Sequence, residues 1–235
     1  MATQERPRTF ALIGNPNCGK TTLFNVLTGL RQKVGNYPGV TVERKEGMMY
    51  SQHGQPIRIV DLPGSYSLQP RSPDERILVD VLLGNLRDEP VPDGIICTID
   101  ASNLERNLFL LTQSLELGLP IIVALNMMDM ARKRGLRIHV ERLSKVLGVP
   151  VVPIEALSKR GIVELKLEMS RKDLRVAKAV VEPPEAVQKA IDDLRPVFQR
   201  PNRVNEALAE AEAGLRLASE EGGHSMSGEG PVTTR

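Results

Sequence analysis

Eight residues near the amino terminus, Gly14-Asn15-Pro16-Asn17-Cys18-Gly19-Lys20-Thr21, carry the spacing G-x-x-x-x-G-K-[ST]. That composition suits a polyphosphate. Glycines let successive backbone N–H groups turn inward around phosphate oxygens, and a following helix adds its positive end. Lys20 would bridge the β- and γ-phosphates as a mobile point charge, while the Thr21 hydroxyl would ligate Mg²⁺. A chance Gly-rich turn is the competing reading, and the strand before and helix after the motif argue against it.

Two further patterns bear on which nucleotide binds. Asp61-Leu62-Pro63-Gly64 lies 41 residues after Lys20 and follows the apolar run PIRIV. An Asp there can hold Mg²⁺ through water, and the Gly64 N–H can reach a γ-phosphate. Alone, D-x-x-G is also ordinary turn chemistry. Asn126-Met127-Met128-Asp129 ends the run PIIVAL and fits N-x-x-D. The Asp129 carboxylate can accept from guanine N1–H and the exocyclic amine; adenine presents the opposite pattern and leaves groups unpaired. Alone, this too reads as a polar strand-to-loop junction. Met127 stands where most GTPases carry a Lys, and its thioether can still pack over a base. Thr41 follows a loop holding Gly35, Asn36, Pro38, Gly39 and Val40. That is where a second Mg²⁺ hydroxyl would engage only with a γ-phosphate present; the alternative makes Thr41 merely the first β-branched residue of a strand.

The elements that must position these groups alternate regularly. Residues 9–14 read as a strand, LFNVLTGL as a helix, 31–41 as a loop, 40–51 and 56–61 as strands. Then follow a helix over 74–84, strand 94–100, helix 104–117, strand 120–126, helix 139–147, strand 149–154 and helix 161–170. This pattern predicts an α/β fold with a mostly parallel sheet flanked by helices, of the P-loop NTPase, small G-protein-like kind. Each motif falls at the carboxyl end of a predicted strand, where open α/β sheets place ligands. A GTP-binding domain is therefore expected over 1–172. EPPEA at 182–186 marks a boundary, two amphipathic helices are predicted within 182–221, and the Gly/Ser-rich stretch 222–235 predicts disorder.

Composition agrees with a globular chain: 235 residues, 41% hydrophobic and 26% charged. A net charge of +2 and 3% aromatics with no Trp argue against nucleic-acid binding. Cys18 and Cys97 make no disulfide framework and fit a reducing, cytoplasmic compartment, and no run reaches the length of a membrane helix. His53, His139 and His224 lack ligand spacing. Arg31, Arg44 and Arg71 read as solvated surface charges. The cluster Arg132-Lys133-Arg134-Arg137 reads as a solvated loop or a contact with anionic lipid.

GNPNCGKTTLFNVLTG, RQKVGNYPGVTVERKEG, DLPGSYSL, DASNLERNLFL and ALNMMD together resemble the cytosolic amino-terminal G domain of the ferrous iron transport protein B family, FeoB, over about residues 9–170. The resemblance implies Mg-dependent GTP hydrolysis in ferrous iron uptake, at the cytoplasmic face of the bacterial inner membrane. It also implies a helical, nucleotide-dissociation-inhibitor-like domain after residue 182, cut short here, and a membrane-spanning permease region as partner. The chain is accordingly expected to be an excised fragment or a relative without the transporter.

The family lacks the glutamine that commonly follows D-x-x-G, and Ser65 stands there. It is implied instead to use K⁺, ligated by Asn17 and by carbonyls matching Gly35 and Tyr37. The implied catalytic set is Lys20, Asn17, Thr41 and Gly64. The implied nucleotide site adds Gly14, Asn15, Pro16, Cys18, Gly19, Thr21, Thr22, Gly39, Val40, Asp61, Leu62, Pro63, Asn126, Met127, Asp129 and the base-loop residues Ala156 and Leu157. Three departures stand out: Tyr37 where the family commonly has Trp, Cys18 where Ser is commoner, and Glu155 before Ala156 in a loop usually written Ser-Ala. Cys18 is either a small filler or, near a helix N-terminus, a reactive thiol. A slow nucleotide switch and a ribosome-assembly-type GTPase are the alternative functions, although no GXXG element or basic face follows residue 182.

Overall fold

The computed structural model describes residues 6–29, 32–51, 54–86, 89–174, 176–177 and 189. The fold lies within Met1–Val180, the first of two units; Val181–Arg235 is the second. Apart from Lys189, the predicted helical segment and tail lie outside the described residues, as do Arg31, His53 and His224.

In chain order the elements are β1 (Arg8–Gly14), α1 (Lys20–Thr28), β2 (Gln32–Asn36), β3 (Glu43–Tyr50), β4 (Pro56–Asp61), α2 (Pro73–Leu83), β5 (Gly94–Asp100), α3 (Leu104–Leu115), β6 (Ile121–Asn126), α4 (Met128–Lys133), α5 (Val140–Leu147), β7 (Val151–Pro153) and α6 (Ile162–Ser170). A single 3₁₀ turn, Ala101–Asn103, precedes α3. The sheet runs β2-β3-β4-β1-β5-β6-β7. β1 is parallel to β4 and β5, β5 to β6 and β6 to β7, while β3 is antiparallel to both its neighbours.

The central strands are apolar throughout because helices cover both faces. Six of seven residues in β1 and β5, and all six in β6, are buried. Phe10, Leu12, Ile96 and Ala124 pack with Leu23, Phe24 and Leu27 of α1 and with Leu165 and Met169 of α6. Each such side chain contributes roughly 1.5–3 kcal/mol by leaving water. α2 begins where Ser72 accepts the Glu75 N–H at 3.2 Å with Pro73 first in the helix, and ends at Gly84 in the left-handed region.

Two local expectations change. The segment read as a loop over 31–41 contains an edge strand, β2, in which every residue is exposed. QKVGN has no apolar face to announce a strand; its order comes from backbone pairing with β3, from Gln32 opposite Gly47 to Asn36 opposite Glu43. The short helix α4, which begins within N-x-x-D at Met128, carries too little periodicity over six residues to be read from the sequence.

Candidate functional site

The parallel registers bring the motifs to one edge of the sheet. Leu12 lies opposite Asp61, Gly14 opposite Thr98, and Asp100 opposite Asn126. The loop from Gly14 to Gly19 therefore leaves β1 between the ends of β4 and β5, as the sequence predicted for a switch-point site.

That loop is shaped by close approaches. A Cβ on Gly14 would sit 2.6 Å from the Thr98 carbonyl and 2.7 Å from Cys18 Sγ. Asn17 has φ +65°, a left-handed conformation that Asn tolerates better than most residues. Gly19, at φ +87°, lies so near Asn126 Nδ2 that a side chain would displace it. On the other side, a Cβ on Gly64 would come within 3.3 Å of Pro16 N, so the D-x-x-G turn packs directly on the phosphate loop.

Asn15, Pro16, Asn17, Gly19, Lys20, Thr21, Thr22, Gly64 and Met127 line an open cavity of about 550 Å³. Gly19, Thr22, Asn126, Met127, Asp129, Met130, Glu155, Ala156, Leu157 and Ser158 line a second of about 370 Å³. The shared walls of Gly19, Thr22 and Met127 make them one groove, polar at one end and apolar at the other. Lys20 Nζ is 2.7 Å from Asp61 Oδ1, with the two side chains 12% and 6% exposed. A phosphate would thus displace a preformed pair, freeing the cation for itself and the carboxylate for Mg²⁺.

Asn126 ties the two ends together. Its Nδ2 donates to the Cys18 carbonyl at 3.0 Å, and its Oδ1 accepts the Ala156 N–H at 3.0 Å. Met127, at φ +61°, turns the chain into α4, whose first turn carries Asp129. Asp129 has no hydrogen bond or ion pair to another described residue, so its carboxylate is available to a base. Leu62 is a core residue, fully buried, with its N–H on the Leu12 carbonyl at 3.1 Å. Pro63 is half-buried beside it.

Gly35, Tyr37, Gly39, Val40 and Thr41 line neither cavity. Gly35 is paired into β2 opposite Arg44. The Tyr37 N–H donates to the Val42 carbonyl at 3.0 Å, and its own carbonyl accepts from Val40 at 3.2 Å. Thr41 is exposed. The whole segment is folded onto β3, and its anchor was invisible in the sequence. Tyr37 is 1% exposed. Burial, with Glu89 nearby, pushes its hydroxyl pKa up. Arg44 and Arg58 each contact both Glu46 and Glu89, at 2.5–3.2 Å. Arg44 is therefore not the solvated charge the sequence suggested. Its partners lie on β3 and in the loop after α2, and no local pattern links them.

Ser65, which stands where many GTPases carry the water-orienting glutamine, has its hydroxyl engaged within the protein. It is fully buried, and its Oγ is engaged with the Ser67 carbonyl at 2.6 Å and with Glu75 at 3.1 Å. For Cys18, burial favours the small-filler reading. The reactive alternative required a lowered thiol pKa, whereas burial pushes it up to about 11 against the opposing pull of Lys20. At pH 8 only about one part in a thousand is thiolate. Iodoacetamide at pH 8 is expected to leave Cys18 of the native protein unmodified over times that alkylate the unfolded chain, as peptide mass spectrometry would read. Among the described residues no cluster of His, Cys, Asp and Glu is built to hold a metal on its own, and no helix is long and apolar enough to cross a membrane.

Residues 8–169 match the family model FeoB_N, Ferrous iron transport protein B. The chain belongs to that family. The Fe(2+) transporters FeoB of Escherichia coli (strain K12) and Salmonella typhimurium are 53% and 54% identical to it over 167 residues. These matches cover 69% of this chain and 21% of each relative, so the chain spans a minor part of their length. Among solved structures, the cytosolic domain of L. pneumophila FeoB superposes with a TM-score of 0.78 at 41% identity, covering 90% of this chain and 88% of that one. The cytosolic domain of T. maritima FeoB in a GDP form gives 0.77 at 34% identity, covering 92% and 87%. A mutant S. thermophilus NFeoB bound to GDP gives 0.73 at 38% identity, covering 91% and 90%. The seven-stranded sheet is the GTPase fold of FeoB G domains.

Proposed function

We propose that this FeoB G domain binds Mg²⁺-GTP in the groove and hydrolyses it to GDP and phosphate, serving ferrous iron uptake by a longer membrane protein. The observation that carries this reading is the continuity of the groove, with the Lys20–Asp61 pair at one end and the unpartnered Asp129 at the other. The GDP-bound relatives support it.

The phosphates would lie along the N–H groups between Gly14 and Thr22, where the phosphate loop enters α1. Lys20 would leave Asp61 and bridge the β- and γ-phosphates, holding charge as the γ-phosphoryl transfers. Water attacks the γ-phosphorus, the bond to the β–γ bridging oxygen breaks, and the water's proton leaves with phosphate or solvent. Met127 and Leu157, itself 90% exposed, would cover the faces of the base, and Asp129 would accept from its N1–H and amine. The donor set fits magnesium, since the Thr21 hydroxyl and the Asp61 carboxylate are hard oxygens beside the same cavity. Bound there, Mg²⁺ neutralises developing phosphate charge. The donor set for potassium is not assembled, because Asn17 lines the cavity while Gly35 and Tyr37 do not, so potassium enters no step above.

Phosphate release from GTP and ATP, in matched potassium and sodium chloride, tests the reading. Turnover selective for GTP is expected, with any gain in potassium lost in Asn17→Ala. Equal use of ATP would remove Asp129 from base reading. GTP binding without turnover would favour the slow switch, a reading that the engaged Ser65 hydroxyl keeps in play.

A further inference from the structure

The base end of the groove holds a charged contact that guanine recognition does not use. Glu155 opens the loop that carries Ala156 and Leu157, and its side chain is only 11% exposed. Its carboxylate accepts a hydrogen bond from Arg132 Nη2, takes the Ser158 hydroxyl at 3.0 Å, and lies 3.5 Å from Arg160. The Arg132 guanidinium and then the Ser158 hydroxyl hold the carboxyl below the usual carboxylate range, so it stays charged at neutral pH.

Arg132 sits on the last turn of α4, three residues after Asp129. The pair therefore joins two separate walls of the base cavity: the helix that presents Asp129 and Met130, and the loop of residues 155–158. The remaining ties of that loop are few. One is the Ala156 N–H on Asn126, and another is the Glu155 N–H on the Arg160 carbonyl, which only closes the loop on itself. Ala156 is buried in the core, but beyond it the loop tip is not packed, since Leu157 is exposed. Without Arg132, the Glu155 carboxylate beside Asp129 would keep only Arg160, at 3.5 Å, as a charged partner, on the cavity that must take the base.

We propose that the Arg132–Glu155 ion pair is a clasp on the base cavity, positioning the 155–158 loop against α4 and setting how long a guanine nucleotide stays bound. This rests on reading the groove as a guanine-nucleotide site. The two residues are positioning residues and touch no reacting atom. With Arg132 55% exposed, the clasp is within reach of solvent and weakens with ionic strength.

The test is displacement of fluorescent N-methylanthraniloyl-GDP by excess GDP, followed by stopped flow. Release is expected to quicken about fivefold in Arg132→Ala and in Glu155→Ala, a size suited to a partly exposed pair acting on the off-rate. The double variant should be no faster than either single one, and Arg132→Lys should recover most of the wild-type rate. Arg160→Ala should release like the wild type, since Arg160 shares a loop with Glu155 and joins no second wall. Added choline chloride should speed the wild type and leave Arg132→Ala unchanged. Single-turnover hydrolysis of bound GTP should be the same in Arg132→Ala as in the wild type, which a general loosening of the domain would not preserve. Wild-type release rates in both single variants, or additive effects in the double, overturn the clasp alone. Failure of the wild type to bind the labelled GDP overturns the guanine-site reading and the clasp with it.

Discussion

Replacing Lys20 by alanine is expected to lower GTP turnover at least about a thousandfold, the largest effect of any single change in this domain. The cation would serve the transferring phosphoryl group, and among the described residues no second Lys or Arg lines the groove, Arg44 being committed to Glu46 and Glu89. The same substitution carries a separate structural cost. Lys20 is also the ion-pair partner of Asp61, a carboxylate whose side chain is 6% exposed. Stranding it should cost about 2 kcal/mol, less than a deeply buried pair because it borders an open cleft. The melting temperature should fall by roughly 4–8 °C. Adding Asp61→Asn should recover most of that stability while turnover stays lost. If the double variant melted as low as Lys20→Ala, the pair seen at 2.7 Å would not be what the lysine contributes to folding.

The second largest effect is expected from Asp129→Asn, and it is a change of nucleotide. Asp129 would accept two hydrogen bonds from guanine, each worth about 1.5–3 kcal/mol when one partner is charged. An asparagine keeps one acceptor and sets an amide donor against the guanine amine. GTP affinity should therefore fall roughly 100- to 1000-fold. Xanthine carries a carbonyl where guanine has that amine, so XTP should gain affinity as GTP loses it. Because Asp129 has no partner among the described residues, melting of the protein should be unchanged. Competition between the two triphosphates in a fluorescence titration reads the result. Equal losses for both would mean the cavity beside Asp129 is not where the base binds.

The groups meant to meet a nucleotide were legible because each is held by short-range constraints. G-x-x-x-x-G-K-T needs its glycines for backbone approach, and the clash of a Cβ on Gly14 or Gly19 shows why. Asp61 and Asn126 each end an apolar run, so their place at the sheet edge followed from strand direction. The exposed strand β2 was not legible, since its pairing uses the backbone and leaves no mark in side-chain pattern. Nor were the ion pairs among positions 44, 46, 58 and 89, which come together only when β3, β4 and the loop after α2 fold. Gly35 is paired into β2, and the Tyr37 and Val40 backbones bond within their own turn, so these residues line neither cavity here.

The sequence alone determined the class of fold and the motifs that line the groove, because periodicity and motif spacing are properties of neighbouring residues. Only the tertiary structure decided how those residues are paired within the chain. It paired Lys20 with Asp61, engaged the Ser65 hydroxyl within its own turn, raised the Cys18 pKa by burial and joined Glu155 to Arg132. Each of these depends on which side chains from distant segments share a poorly solvated space, where an unpaired charge or hydroxyl is costly and the nearest partner takes it.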